Sequence, residues 1–270
     1  MARLRGGGVA RYAPRMRRPP LLCVLALVAL VACSSRAPLY PPDWLDAARV
    51  LVAAPDRTEA DRALDTGRHP AELLAFFGVR PGMHVAELGA GGGYTTELLA
   101  RAVAPTGVVY GHNAPLILQR FAQGPWNERL ARPTMHGVVR LDRAFDDPFP
   151  PEVRDLDQVW IILFYHDTVW MNVDRERMNR AVYAALRPGG VYAVVDHSAR
   201  RGSGTKDVQT LHRIEESVVR REIQRAGFKL DAESNMLRNP ADKRDWNASP
   251  SAAEERRGTS DRFALRFVKR

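Results

Sequence analysis

A glycine-rich segment between an apolar run and a helical pattern constrains this chain most. Positions 87–94 read Glu-Leu-Gly-Ala-Gly-Gly-Gly-Tyr and directly follow the apolar run 84–88. Glycine is needed where a backbone turns tightly or comes close to a ligand. A dinucleotide-binding fingerprint would require glycine where Tyr94 stands, and the carboxylate of Glu87 would repel a pyrophosphate. The pattern therefore predicts a strand, a turn and a helix that hold a cationic ligand. A purely structural turn and another kind of nucleotide site are the alternatives.

The rest of the chain alternates strand-like and helical patterns. Apolar runs predict strands at 84–88, 108–111, 137–141, 158–164, 191–196, 228–234 and 263–268. Helical patterns cover 95–102, 115–123, 172–186 and 207–226. Apolar strands joined by helices are typical of a parallel sheet covered on both faces. We therefore predict one doubly wound α/β domain over residues 44–270. In it, the polar stretch 235–261 is predicted to form a lid or a flexible loop.

A net charge of +9 is typical of a nucleic-acid-binding protein, but most of this charge lies in the N-terminal segment. Residues 1–32 contain no acid and six arginines, which are Arg3, Arg5, Arg11, Arg15, Arg17 and Arg18. The remaining chain has 34 of the 40 Lys and Arg against all 31 Asp and Glu, so it is nearly neutral. Its basic stretches lack the interleaved aromatic residues of a single-strand binding surface. We expect no nucleic-acid partner.

The N-terminal segment resembles a bacterial lipoprotein signal. Its arginines precede the apolar run 21–32, which is too short to span about 30 Å of hydrocarbon at 1.5 Å per residue but fits a secretory signal. The run ends in Leu-Val-Ala-Cys, which resembles a lipobox whose cysteine, Cys33, is lipidated. We predict a signal peptide over 1–32, a tether over 33–43 and a membrane partner reached through a lipid anchor in the cell envelope. A buried N-terminal helix in a cytoplasmic protein is the alternative.

Two motifs resemble those of the class I S-adenosylmethionine (SAM) methyltransferases: the segment 87–94 and Leu-Arg-Pro-Gly-Gly at 186–190. The resemblance implies a seven-stranded, mostly parallel sheet whose last strand is antiparallel and lies beside the fifth. It also implies an enzyme with SAM as methyl donor, in which Glu87 binds the amino group of the methionyl part. The loop residues that make room for the ligand are Gly89, Ala90, Gly91 and Gly93.

The end of the second strand departs from the pattern of most class I methyltransferases. Those enzymes have an acid there that binds both ribose hydroxyls, whereas this chain has Asn113. An amide can bond one hydroxyl, without the charge that makes such bonds about twice as strong. After the third strand, Asp142 is the candidate for the adenine contact.

Several short segments further resemble a family of predicted bacterial methyltransferases that often carry export signals. They are 68–72, 89–94, 165–167, 196–198, 211–213 and 239–242, and the resemblance covers about residues 50–270. It names no acceptor, and we expect a small molecule. Because SAM is made in the cytosol, an exported enzyme has no evident donor. A ligand-binding lipoprotein on the same fold is therefore the alternative function.

Three of the seven histidines are predicted to meet at one edge of the sheet. Tyr165, His166 and Asp167 follow the fourth strand, His197 ends the fifth, and His212 lies on the next helical pattern. Ligands of such sheets bind beyond the carboxyl ends of the strands, and imidazole can accept a proton near neutral pH. We expect these five residues on the acceptor side. Polar caps of strands are one alternative. A divalent metal is another, which no H-x-x-x-H spacing favours.

Overall fold

Seven strands and ten helices form the part of the chain that the computed structural model describes, which is residues 42–270 together with Gly7. The strands are β1 His84–Leu88, β2 Val108–Asn113, β3 Val138–Asp142, β4 Leu156–Ile162, β5 Leu186–His197, β6 Lys229–Ser234 and β7 Arg262–Val268. The helices are α1 Pro42–Val52, α2 Glu59–Arg68, α3 Pro70–Phe77, α4 Tyr94–Val103, α5 Pro115–Ile117, α6 Gln123–Leu130, α7 Asp167–Trp170, α8 Arg175–Ala185, α9 Val208–Leu211 and α10 Glu216–Arg225. A π-helical stretch, Leu118–Ala122, joins α5 to α6.

The strands form one sheet in the order β3-β2-β1-β4-β5-β7-β6. Strands β1 to β5 pair in parallel, and β7 is antiparallel to both β5 and β6. This arrangement confirms the predicted fold class and the position of the last strand beside the fifth. The carboxyl ends of the parallel strands open at one edge, where ligands bind in sheets of this kind.

The predicted helix over 207–226 is wrong in its middle, because the chain breaks between α9 and α10. His212 ends α9 in the left-handed region with a φ of 57°. The backbone of Ile214 then pairs with the end of β5: its amide donates to the carbonyl of His197 at 3.0 Å, and its carbonyl accepts from the amide of Ala199 at 3.0 Å. These backbone bonds outweigh the apolar helical spacing of the local sequence and hold His212 at the sheet edge.

The polar stretch 235–261 is an ordered loop held by buried polar contacts. The guanidinium of Arg213 is fully buried and donates to Asp242 at 2.8 Å and to the carbonyl of Trp246 at 3.1 Å. The amide of Ala248 donates to the carbonyl of Leu211 at 2.9 Å. The loop therefore packs against the segment that carries His212.

The predicted signal peptide and lipidated cysteine lie outside the described residues. The structure describes neither Cys33 nor residues 1–32, apart from Gly7. Within residues 42–270, no helix is long and apolar enough to cross a membrane.

One tryptophan ring fills the space between α4, β2 and α6. Trp126 on α6 is fully buried. A Cβ atom on Gly93 would lie 2.5 Å from this ring, and one on Gly111 would lie 2.6 Å from it. Both distances are far below van der Waals contact, so the ring requires glycine at both positions.

Replacing Gly111 with alanine should destabilise the protein by about 1–3 kcal/mol, because the added methyl group overpacks the Trp126 site. The matched control is Gly124→Ala on α6, where the added Cβ would meet no described atom within 4 Å beyond its chain neighbours and the backbone of its own helix. That change should leave stability equal or raise it by up to about 1 kcal/mol, since alanine favours a helix. Urea unfolding measures both, and a Gly111→Ala variant as stable as wild type would contradict this packing.

Candidate functional site

The glycine loop, residues 89–93, turns the chain from β1 into α4. Three of its residues occupy the left-handed region with φ of 71°, 56° and 81°, and they are Gly89, Gly91 and Gly93. Side chains rarely adopt this conformation, so the turn depends on glycine. The amide of Ala90 donates to the carbonyl of His112 on β2 at 2.9 Å, which fixes the loop over the end of that strand.

Asn113, the last residue of β2, forms two hydrogen bonds with the backbone of the same loop. It is fully buried, its Oδ1 accepts from the amide of Gly91 at 2.8 Å, and its Nδ2 donates to the carbonyl of Gly91 at 3.1 Å. The predicted bond from Asn113 to a ribose hydroxyl stays a prediction, and it would have to replace one of these contacts. In the structure Asn113 positions the glycine loop.

Arg129 on α6 joins the glycine loop to two helices. Its Nε donates to the carbonyl of Gly92 at 2.6 Å. Its Nη2 donates to Asp61 on α2 at 2.7 Å, and its Nη1 donates to Glu97 on α4 at 2.5 Å. Both carboxylates are buried, and their charges are balanced by this guanidinium, by Arg132 and, for Glu97, by Arg101 at 2.8 Å.

Asp142 ends β3 beside Asn113, at the same edge of the sheet. Its carboxylate is exposed and accepts from the Nε of Arg140, at 2.8 Å on one oxygen and 2.9 Å on the other. The predicted adenine contact remains a prediction for this residue.

Glu87 on β1 lies beneath the glycine loop and is almost completely buried. The hydroxyl of Thr96 on α4 donates to its Oε2. Burial raises the pKa of Glu87 to about 7, although the hydroxyls of Thr96 and Thr95 and the positive charge of Arg68 act in the opposite direction. Burial of the ionised carboxylate costs free energy because it removes water from the charge. A cationic group bound beside Glu87 would offset that cost.

Arg68, at the end of α2, is a half-buried cation close to Glu87. Its guanidinium lies 4.5 Å from the centre of the Tyr94 ring. Burial lowers the pKa of Arg68, and the attraction of Glu87 and Asp61 offsets part of that effect. No carboxylate oxygen of residues 42–270 lies within 4.0 Å of its nitrogens. Arg68 is therefore available to an anionic ligand group.

A second cation, Arg262, begins β7 near the same place. It is buried, and among residues 42–270 its guanidinium donates only to the carbonyls of Ser260 at 3.2 Å and Gly258 at 2.7 Å. Burial, followed by the charge of Arg68, lowers the pKa of Arg262 to about 10. Backbone contact brings α2 and the loop together here, since a Cβ on Gly67 would lie 2.8 Å from the Cα of Gly258.

The ends of β4 and β5 bring the predicted histidines together around Asp196. One oxygen of Asp196 accepts from the amide of His166 at 2.7 Å. The other lies 2.6 Å from Nδ1 of His166 and accepts from the amide of His197 at 2.7 Å. Asp196 thus fixes the His166 ring. Sequence reasoning placed Asp196 at a strand end but did not include it in the site.

The three histidine rings form one cluster, as predicted. The centre of the His166 ring lies 4.0 Å from that of His212 and 5.7 Å from that of His197. His166 is fully buried, whereas the side chain of His212 is 22% exposed, so an acceptor would meet His212 and His197 first. Burial, together with the charge of His166, lowers the pKa of His212 to about 4 and that of His197 well below its usual value.

Tyr165 does not join this cluster. It is fully buried, its hydroxyl donates to Glu222 on α10 at 2.9 Å, and it accepts from Asn179 on α8 at 2.8 Å. The prediction of an acceptor-side role for Tyr165 is corrected accordingly, because its hydroxyl is directed into the helices that cover the sheet. Asp167, by contrast, lies within the cluster, with Oδ1 at 3.4 Å from Nε2 of His166.

No family model matches the sequence. A SAM-dependent methyltransferase from Mesorhizobium loti is similar in structure, with a TM-score of 0.52 and 18% identity over 76% of this chain and 99% of that one. Another, from Aquifex aeolicus, has a TM-score of 0.51 and 14% identity over 86% of this chain and 100% of its own. The cyclase SpnF has a TM-score of 0.53 and 16% identity over 84% and 93%. At these identities the likeness shows the fold: the chain has the Rossmann-like fold of class I methyltransferases.

Glu87→Gln should stabilise the protein in the absence of ligand, and the gain should grow with pH. The folded-state pKa of about 7 lies above the usual 4.5, so the buried carboxylate destabilises the fold increasingly between these values and fully above 7. The expected gain is near zero at pH 4.5 and on the order of 2–3 kcal/mol at pH 8. Urea unfolding at both pH values measures it.

Glu128→Gln on α6 is the control, because that side chain is exposed. It should change stability little at either pH. A Glu87→Gln variant no more stable than wild type at pH 8 would show that the Glu87 carboxylate is well compensated in the unliganded fold.

Proposed function

We propose that the protein binds SAM at the glycine loop and transfers its methyl group to a small acceptor at the histidine cluster. The observation that carries the donor assignment is that a buried acid, Glu87, and a cation without an ion pair to any of residues 42–270, Arg68, both lie beside the loop. The methionyl end of SAM bears an ammonium and a carboxylate, which match these two groups. Structural neighbours described as SAM-dependent methyltransferases support the same assignment.

The loop backbone supplies the rest of the donor site. At Gly91 a Cβ atom would meet nothing within 4 Å, so the backbone there is open to a close approach by the ligand, whereas at Gly89 the ring of Phe164 lies 2.6 Å from the Cβ position. Asn113 and Arg129 hold the loop from below, so the site is formed before the ligand arrives. A preformed site reduces the ordering that binding would otherwise require.

Methyl transfer depends mainly on the alignment of the acceptor atom with the methyl carbon of SAM. The acceptor atom forms a bond to the methyl carbon while the carbon–sulfur bond breaks, the bonding electron pair stays on sulfur, and the acceptor loses a proton. His197 is placed to receive that proton as the bond forms, although the burial that lowers its pKa also weakens it as a base. Its Nδ1 lies 2.7 Å from the hydroxyl of Ser260, and its Nε2 has no hydrogen-bond partner among residues 42–270.

Calorimetric titration of SAM and of its demethylated product into the purified full chain tests the donor site. Wild type should bind both with micromolar affinity. Glu87→Ala and Arg68→Gln should each weaken binding by about 10- to 100-fold, since each removes a charged partner worth about 1.5–3 kcal/mol. Arg49→Gln, which changes an exposed arginine on α1, is the matched control and should bind as wild type does.

Wild-type affinity in both site variants would contradict the proposed contacts. A folded wild type that binds neither compound up to millimolar concentration would overturn the donor assignment. Binding without methyl transfer to any member of a pooled set of small hydroxyl and amine compounds, followed with labelled SAM, would favour a ligand-binding protein.

We also propose, from the sequence, that the protein is anchored in the cell envelope through Cys33. In a bacterial host, the wild-type chain should incorporate labelled palmitate and accumulate as a larger precursor when lipoprotein signal peptidase is inhibited by globomycin. Cys33→Ala should abolish both effects, whereas Cys23→Ala should leave them unchanged. A soluble cytosolic product without label would contradict the anchor and remove the difficulty of SAM supply.

A further inference from the structure

His166 has a buried ring nitrogen that no protein group satisfies. The ring is fully buried, and its Nε2 has no hydrogen-bond partner among residues 42–270. Its Nδ1 lies 2.6 Å from the carboxylate of Asp196. A neutral histidine whose Nδ1–H donates a hydrogen bond to a carboxylate presents a lone pair at Nε2, which is the usual arrangement of a metal-binding imidazole.

Two further ligand atoms surround that nitrogen. Oδ1 of Asp167 lies 3.4 Å from Nε2 of His166 and 3.8 Å from Nδ1 of His212. One ligand atom from each of the three residues can be chosen so that all lie within 4.8 Å of one another. Ligand atoms at about 2.1 Å from a tetrahedral ion are about 3.4 Å apart, so small side-chain movements would complete the site.

We propose that His166, Asp167 and His212 bind one divalent transition-metal ion of the zinc class. Two imidazoles and one carboxylate suit such ions, whereas Mg²⁺ and Ca²⁺ prefer oxygen ligands. Three protein ligands leave a coordination position open, as in catalytic rather than structural zinc sites.

Neighbouring groups already orient these ligands. Asp196 holds His166, and the indole Nε1 of Trp170 donates to Oδ1 of Asp167 at 2.6 Å. The left-handed turn at His212 directs its ring onto His166, and its partial exposure provides a route from solvent. Such outer contacts fix ring orientation and raise the basicity of the ligands.

An acceptor would reach such an ion from the side of His212, which is more exposed than His166. An ion there would bind the acceptor's oxygen or nitrogen and favour its deprotonated form. This role, unlike the binding of the ion, rests on the proposed methyl transfer.

A proton is the rival occupant of the same space. Burial lowers the pKa of His166, but the carboxylates of Asp196 and Asp167 outweigh that effect and raise it above its usual value. A protonated His166 between two carboxylates would need no metal. The two arrangements differ in whether the cluster binds a metal ion or a proton.

Titration of the chelator-treated full chain with Co²⁺, followed by visible absorption and by competition with Zn²⁺, tests the proposal. Wild type should bind one ion per chain with micromolar or tighter affinity. His212→Ala and Asp167→Asn should weaken binding by at least about tenfold, and Asp196→Asn should weaken it by about 10- to 100-fold. Far-ultraviolet circular dichroism checks that each variant is folded.

His136→Ala is the matched control, because His136 is exposed and precedes β3, which two strands separate from β4. It should bind Co²⁺ as wild type does. Equal uptake by wild type and His212→Ala, or no uptake by wild type, would overturn the metal site in favour of the proton. SAM titration of the same samples separates the two proposals: metal binding without SAM binding overturns only the donor site, and SAM binding without metal binding overturns only the metal site.

Discussion

The guanidinium of Arg129 is the contact on which the donor side of the molecule depends. It bonds the carbonyl of Gly92 and the buried carboxylates of Asp61 and Glu97, so it connects the glycine loop with α2, α4 and α6. Loss of Arg129 would leave Glu97 paired with Arg101 and Arg132, but it would leave Asp61 with the longer ion pair to Arg132 at 3.4 Å. Here the same loss would also release the loop backbone and the helix that carries Arg68. The stability of this region and the shape of the donor site therefore share one set of bonds.

Buried charged groups in this protein differ in whether an oppositely charged group balances them. The poorly balanced ones lie on the side of the proposed donor site. Arg129 and Arg213 have carboxylate partners, whereas Arg68 and Arg262 have none within ion-pair distance among the described residues. Glu87 is likewise buried against hydroxyl groups and the more distant charge of Arg68. A fold selected for stability alone would have little reason to keep these groups in such places. A ligand carrying both charges would compensate them together, which is the usual trade between stability and function.

The sequence predicted the parts of this structure that depend on local pattern. The glycines of segment 89–93 predicted a tight turn, which the structure makes with three of them in the left-handed region, and the apolar run 84–88 became β1 at the predicted residues. The histidine cluster followed from the rule that parallel strands open at one edge. The break at His212 could not be predicted, because its cause is a backbone pairing between Ile214 and the distant β5. The same holds for Arg68, whose importance lies in the missing partner, and for Tyr165, whose hydroxyl direction is set by Glu222 and Asn179.

The place of β7 in the sheet bears on how the chain can fold. β7 comes last in the sequence but lies between β5 and β6, so β6 has no sheet partner until β7 is present. A nascent chain that has emerged only as far as β6 would leave the hydrogen-bonding edge of β5 open, and open edges invite pairing with other chains. Completion of the sheet must therefore wait for residues 262–268, a non-local step of the kind that slows folding. A chain that stopped before residue 262 would therefore lack both the sheet partner of β6 and the strand that covers the edge of β5.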